Sequence, residues 1–412
     1  MDKNKVLCFV LAGGEGKRLQ PLTSERAKPA VHFGGTHRLI DFALSNLVNS
    51  GFNKIAVLTQ YKSQSLNLHI ARNWQMNARF GNFIMVVPPQ QRYSKDWYLG
   101  SADAIYQCQN VIEDNDPEYI IIVGADHVYR MDFSQMLQEH LNNQADITVA
   151  AIRQPIELAS EFGVIDVDRE RPEKIHQFLE KPQSPQGLPY AQHEVLASMG
   201  NYIASARALN ESILLDHDNP QSKHDMGGDI VPHFTNRGTS FVYDFKKNLI
   251  PGEPDLDQNY WRDVGSLDAF YDANMDLVAV VPKFNMYNKQ WPIHTNYTGL
   301  PPAKFVFNEE QRIGYAKNSL VGPGSIISGA KVNDSIISTE VRIGSYSEII
   351  NSIVFPNVNI ERSVRLNKVI VDRYAFLPAK IEIGFDRAAD LERGFTVTDS
   401  GITVVPRFWG NS

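Results

Sequence analysis

The chain has 412 residues, enough for two or three domains at about 100–200 residues each. Apolar residues make up 43% and charged residues 21%, a balance that excludes an intrinsically disordered chain. With 40 basic and 47 acidic residues the formal net charge is −7, which argues against a nucleic-acid backbone as partner but leaves small anionic ligands open. The two cysteines, Cys8 and Cys108, make neither a disulfide framework nor a zinc spacing, and predict the reducing cytoplasm. The apolar run Val6–Ala12 is too short to span a membrane and enters Gly13-Gly14 rather than a cleavage site, so no membrane partner is expected.

That first run reads as a buried strand. Residues 40–49 follow with helical spacing, carrying Ile40, Leu44, Leu47 and Val48 on one face. Residues 55–59 and 82–87 read as strands, the second stopped by Pro88-Pro89. Residues 101–112 read as one helix, with Ser101 as N-cap and Asp103 in the first turn. The β-branched run 119–123 predicts a central parallel strand. Residues 132–142 are helical in pattern and 147–151 are again a strand. Such alternation predicts a Rossmann-like α/β domain with a mostly parallel sheet covered on both faces, its ligands lying beyond the carboxyl ends of the strands. Its expected extent is residues 1–280. Prolines 282, 292, 301 and 302, without periodicity around them, mark residues 281–310 as a linker packed on the surface.

Residues 311–412 carry a repeat. Ile326, Ile343, Ile360 and Leu377 are spaced by 17, as are Val332, Ile349, Leu366 and Ile383. The same spacing links Ile336, Ile353 and Ile370, and also Leu320, Ile337, Val354 and Val371. Apolar columns at one period mean stacked coils. Three edges of about six residues per coil, one shortened, resemble the hexapeptide-repeat left-handed parallel β-helix; an ordinary β-sandwich is the alternative.

The chemistry concentrates after the first strand. Leu11-Ala12-Gly13-Gly14-Glu15-Gly16-Lys17-Arg18-Leu19 is a glycine-rich turn whose backbone N–H groups can approach a phosphate. It is not a P-loop, because Arg18 follows Gly16-Lys17 where Ser or Thr belongs, and not a dinucleotide fingerprint, because Leu19 stands at the third glycine. Arg26 and Lys28 join Lys17 and Arg18 within twelve residues, and Lys28 precedes Pro29. A tight turn and a solvated charged face are the plain alternatives. The position at the ligand edge of a parallel sheet favours triphosphate binding.

Gly13-Gly14-x-Gly16-Lys17-Arg18-Leu19 with Ala27-Lys28-Pro29-Ala30 resembles the signature of the sugar-nucleotide pyrophosphorylase family. Val31-His32-Phe33-Gly34-Gly35, Arg38-Leu39-Ile40-Asp41-Phe42, Trp97-Tyr98-x-Gly100-Ser101-Ala102-Asp103-Ala104 and Gly124-Ala125-Asp126-His127 are similar to its ADP-glucose-forming branch. So are Phe178-x-Glu180-Lys181-Pro182, Ser198-Met199-Gly200 and Tyr260-Trp261-Arg262-Asp263-Val264-Gly265.

The resemblance implies transfer of AMP from ATP to glucose 1-phosphate with release of pyrophosphate. It implies Arg18 and Lys28 on the triphosphate, and Asp126 and Asp263 as ligands of Mg²⁺, two carboxylates from distant segments being able to share one such ion. Leu11, Ala12, Gly13, Gly14, Gln90, Gln91, Tyr98 and Gly100 are the expected ATP contacts. Glu180, Lys181, Ser198, Tyr202 and Trp261 are the expected glucose 1-phosphate contacts. Arg26, His32, Arg38 and Arg373 match an allosteric site for small anions such as sugar phosphates, AMP or phosphate. Glu25 stands where some relatives carry an activator-binding lysine, which predicts a different or weaker response to fructose 1,6-bisphosphate. A homotetramer is expected. The alternatives are the same chemistry on UTP or dTTP, a catalytically silent regulatory subunit, and a hexapeptide acyltransferase. The last is disfavoured because residues 311–412 contain no histidine.

Overall fold

The computed structural model describes residues 2–76, 81–90, 97–253, 258–295, 299–309 and 312–411. Val6–Ala12 lies between Lys54–Thr59 and Tyr119–Gly124, parallel to both, with Phe83–Val87 beyond. Across the sheet the order is Ile175–Glu180, Gly163–Val167, Glu194–Ser205, Tyr119–Gly124, Val6–Ala12, Lys54–Thr59, Phe83–Val87, with Ile147–Pro155 and Ser240–Asp244 joined through Glu194–Ser205. Only Ile175–Glu180 and Glu194–Ser205 run against the rest, so the sheet is mostly parallel, as its strand–helix alternation predicts. The β-branched run is buried on both faces. Ile121 and Val123 enter a core with Leu44, Leu47, Phe133 and Met136, while Ile120 and Ile122 enter another with Ile105, Leu209, Ile213 and Phe234.

The stretch 101–112 is not one helix. It is Ser101–Tyr106 and then Gln109–Asn115, the chain restarting at Cys108. Gly100, not Ser101, is the N-cap. The Ser101 hydroxyl is engaged elsewhere, donating to Asp225 (2.9 Å) and accepting from the Met226 N–H (2.7 Å).

The proline-marked connector is not a surface strap. Phe284, Trp291 and Ile293 are buried, the His294 N–H donates to Ser45 (2.8 Å), and Thr295 donates to the buried Asp41 (2.8 Å). Its aromatic side chains fill gaps beside the Leu39–Asn49 helix, which aperiodic sequence cannot announce. The first coil strand is already Lys304–Glu309, pairing with Ile326–Ser328.

From there the chain forms a three-faced parallel β-helix, consistent with the left-handed hexapeptide type. The columns Val332, Ile349, Leu366, Ile383 and Ile336, Ile353, Ile370 pair in register as spaced. The other two columns begin one residue later than a uniform 17-residue period predicts. Ile327, not Ile326, pairs with Ile343, and Val321, not Leu320, pairs with Ile337. These two steps are each one residue shorter than 17, so Ile327 is buried inside while Ile326 is 36% exposed.

The third face has a second task. Ile337 and Val354 point into the coil, whereas Ile336, Ile353 and Ile370 point outward against Leu19, Leu22, Phe33 and Phe270 of the α/β domain. A fully buried ion pair, Arg26 with Asp372 at 2.8 Å, crosses this seam, and the Tyr271 hydroxyl donates to the Asn351 carbonyl (2.6 Å).

Candidate active site

The glycine-rich turn follows the carboxyl end of Val6–Ala12. Gly16 has φ 68°, and a Cβ there would stand 2.9 Å from the Cβ of Lys28, so only glycine lets the turn lie over that lysine. Lys28 opens a short 3₁₀ turn, Lys28–Ala30, whose Pro29 fixes the backbone. Asp126 lies just beyond Tyr119–Gly124. Asp263 ends Trp261–Asp263, which pairs antiparallel with His127–Tyr129 so that Asp263 stands opposite His127. That two-stranded pairing brings the distant carboxylates together.

They meet at Lys28, whose Nζ is 2.8 Å from Asp126 Oδ2 and 3.1 Å from Asp263 Oδ1. Burial works against the ammonium, but the two carboxylates outweigh it and raise its pKa. Burial likewise opposes the Asp126 carboxylate. The charges of Lys28 and His127 override it and hold Asp126 well below the usual carboxylate range. Asp126, His127 and Asp263 each offer a ligand atom within 4.8 Å of one another, so the donor set fits a divalent cation. His127 lies against Trp261, ring centroids 4.9 Å apart. A Cβ on Gly265 would stand 2.9 Å from Asp263 Oδ2 and 3.0 Å from Arg18 Nη2, so this glycine lets Arg18 approach the carboxylate.

Of the expected ATP contacts, Leu11, Gly13, Gly14, Tyr98 and Gly100 line a cleft of about 640 Å³ together with Arg18, Lys28 and Asp126. Ala12 is buried behind it. Gln90 is turned toward the Pro88 carbonyl (3.3 Å) and does not line the cleft; Gln91 lies outside the described residues. Gln60 was not foreseen. It lines the cleft and pairs with the Tyr98 backbone, its Oε1 accepting from the Tyr98 N–H at 3.0 Å. Its place, first after the strand Lys54–Thr59, is the signal that could have found it. Asp225 was also missed. It lines the cleft, caps Gly227 and Gly228, and accepts from Ser101. Gly100 must be glycine because the His224 carbonyl would stand 2.2 Å from any Cβ.

Lys181 and Trp261 line a second cavity, which shares Arg18 with the first and also reaches Asp263. Lys181 has a left-handed backbone (φ 45°), with its Nζ 3.7 Å from the exposed Glu180 carboxylate. Tyr202 lines the first cleft; burial pushes its phenol upward, and the Ser198 hydroxyl beside it accepts from the Gly200 N–H (3.3 Å). Of the five sugar-side candidates, Tyr202 lines the first cavity and Lys181 and Trp261 the second, while Glu180 and Ser198 line neither.

Of the four anion-site candidates, His32, Arg38 and Arg373 line a separate cavity between the α/β domain and the β-helix. Burial and then the Arg373 charge push Arg38 down to about 10. Burial and the Arg38, Arg373 and Arg26 charges hold His32 well below its ordinary value, hence neutral. Arg26 is committed to Asp372 at the seam. Glu25 is exposed and outside this cavity.

The Nucleotidyl transferase family model matches residues 7–279, and the GlmU-like C-terminal hexapeptide model matches residues 301–405. The chain is 55% identical over 408 residues to a protein of Bifidobacterium longum, covering 99% of both chains. It is 52% identical over 403 residues to one of Arthrobacter sp. (strain FB24), covering 98% of this chain and 87% of the relative. A protein of Leifsonia xyli subsp. xyli is 51% identical over 401 residues, 97% of each chain. All three relatives are named glucose-1-phosphate adenylyltransferase.

Proposed function

The chain belongs to the nucleotidyl transferase family, within its glucose-1-phosphate adenylyltransferases, and from that premise we propose how it makes ADP-glucose from ATP and glucose 1-phosphate. The observation that carries the proposal is the meeting of Asp126, Asp263, Lys28 and Arg18 under the glycine-rich turn, where two cavities join.

The attacking group is a phosphate monoester. With a second pKa of about 6 it is already mostly dianionic at neutral pH, so no general base is needed. The protein must hold two anions in line and neutralise the charge that develops on the departing pyrophosphate. Arg18, shared by both cavities, is placed to serve the triphosphate beside the incoming sugar phosphate. Lys28 serves the triphosphate from beneath the turn. Lys181 draws the phosphate of glucose 1-phosphate into the second cavity, and Glu180 accepts from sugar hydroxyls. Tyr202, Ser198 and Trp261 complete the sugar contacts, while Leu11, Gly13, Gly14, Tyr98 and Gly100 hold the nucleotide. Asp126 and Asp263 would hold Mg²⁺, which when bound supplies positive charge to phosphate oxygens. A catalytically silent subunit is disfavoured by the presence of all four charged groups at one point.

We assign the chain a catalytic domain through about residue 280, a packed connector and a β-helix. Small anions, sugar phosphates, AMP or phosphate, are assigned to the cavity of His32, Arg38 and Arg373, which are cationic or buried side chains at the domain seam. Phe305, Phe307 and Ile313 are exposed on the first coil, and among the described residues no further coil covers them; this supports assembly, for which we propose a homotetramer. Cytoplasmic location is supported by the two buried free cysteines. Among the described residues no helix is long and apolar enough to cross a membrane.

A pyrophosphate-release assay crossing ATP, UTP and dTTP with a panel of sugar 1-phosphates tests the assignment. Turnover should be highest for ATP with glucose 1-phosphate. Preference for UTP or dTTP would transfer the same chemistry to another nucleotide.

A further inference from the structure

We propose that the Lys28 ammonium occupies the divalent-cation position whenever no nucleotide is bound, and must withdraw before a metal ion can enter. The proposal rests on the assignment of Asp126 and Asp263 as metal ligands. Lys28 Nζ touches one oxygen of each carboxylate, at 2.8 and 3.1 Å. A divalent cation seated between the same two carboxylates would stand within a few ångströms of the ammonium, where like charges repel, so each disfavours the other. The lysine is nevertheless built to move only at its tip. Its backbone lies in the Lys28–Ala30 turn with Pro29, its Cβ lies directly beneath Gly16, and its side chain is only 9% exposed. Pinned at the stem, Nζ can swing within the nucleotide cleft that Lys28 itself lines. Phosphates entering that cleft offer the ammonium another set of anionic oxygens.

One side chain therefore has two stations. In the free protein it neutralises two carboxylates that would otherwise repel each other. With nucleotide bound it turns to the phosphates and releases the carboxylates. Metal and nucleotide then favour each other's binding, and by linkage the coupling is reciprocal. The free protein should bind a lone divalent cation poorly.

The test is Mn²⁺ binding, followed through the electron paramagnetic resonance signal of the free ion, with no nucleotide present. Lys28→Met should bind Mn²⁺ about tenfold or more tightly than wild type, the scale of coupling between close charges. Lys28→Arg, which keeps the charge, should bind as weakly as wild type. Lys28→Gln is the second neutral variant if methionine disturbs folding, which thermal melting reports. Adding a non-hydrolysable ATP analogue should raise Mn²⁺ affinity more in wild type than in Lys28→Met. Equal affinity of wild type and both neutral variants without nucleotide would overturn the displacement and leave the metal assignment standing. Failure of every protein to take up Mn²⁺ beyond what the analogue itself binds would overturn the assignment of Asp126 and Asp263.

Discussion

In the catalytic sheet Ile120 to Val123 are all buried, alternate residues entering opposite cores. On one face of the β-helix Ile343 is buried while its neighbour Arg342 is exposed, and on the third face both Ile353 and Val354 are buried. The third face thus resembles a central parallel strand, because the catalytic domain covers its outer side. The contrast shows what a run of apolar residues reports. It counts the surfaces that cover a strand, without naming which surfaces they are. In the catalytic half the covers are helices of the same domain. In the β-helix one cover is the domain that carries the chemistry.

The seam is where this comparison breaks most easily. Arg26 and Asp372 are buried together, so removing one leaves an uncompensated charge. Arg26→Met should cost about 3–5 kcal/mol of stability in denaturant unfolding, and adding Asp372→Leu should recover most of it. A neutral single variant would mean that the seam admits water.

Chemistry should fall in one half without the other noticing. Asp126→Asn should lower kcat about 10²–10³-fold, the usual result of losing a charge-stabilising contact, while the protein stays folded by circular dichroism. Near-normal turnover would remove Asp126 from the mechanism.

Acid should also separate the halves. All 11 histidines precede residue 311. Burial pushes His140, whose Nδ1 lies 2.9 Å from the Thr148 hydroxyl, down to about 4. The unfolded chain takes up that proton first as pH drops below about 6.5. Stability therefore falls progressively between there and about 4, by about 3 kcal/mol in total. Amide exchange at pH 5 should quicken in the catalytic sheet while the β-helix strands stay protected, and His140→Gln should flatten the dependence. Uniform loss of protection in both halves would show that the two unfold as one unit.

Within the catalytic half, the two cavities should separate kinetically. Lys181→Gln should raise the KM for glucose 1-phosphate about 10–100-fold, the worth of one charged hydrogen bond, and leave that for ATP nearly unchanged. Equal effects on both substrates would merge the cavities into one site.

The glycine-rich turn, the lysine-proline pair and the aspartate motifs were legible because each carries unusual residue types in fixed order. The coil period was legible because four columns repeat it. Less visible was a device such as the Gln60–Tyr98 pairing, in which an ordinary glutamine acts through a distant backbone. The connector's buried Trp291 and Ile293 were equally silent, since they fill another element's gap without any period of their own. Composition and order along the chain determined the two architectures and the residue types of the site, because periodicity and motif are local properties. Tertiary structure alone decided that Ile336, Ile353 and Ile370 face the catalytic domain. It alone decided that Arg26 serves the seam, and that Lys28 lies between Asp126 and Asp263, 98 and 235 residues away. Burial and charge pairing across such separations depend on how strands stack in space, and no local pattern records that.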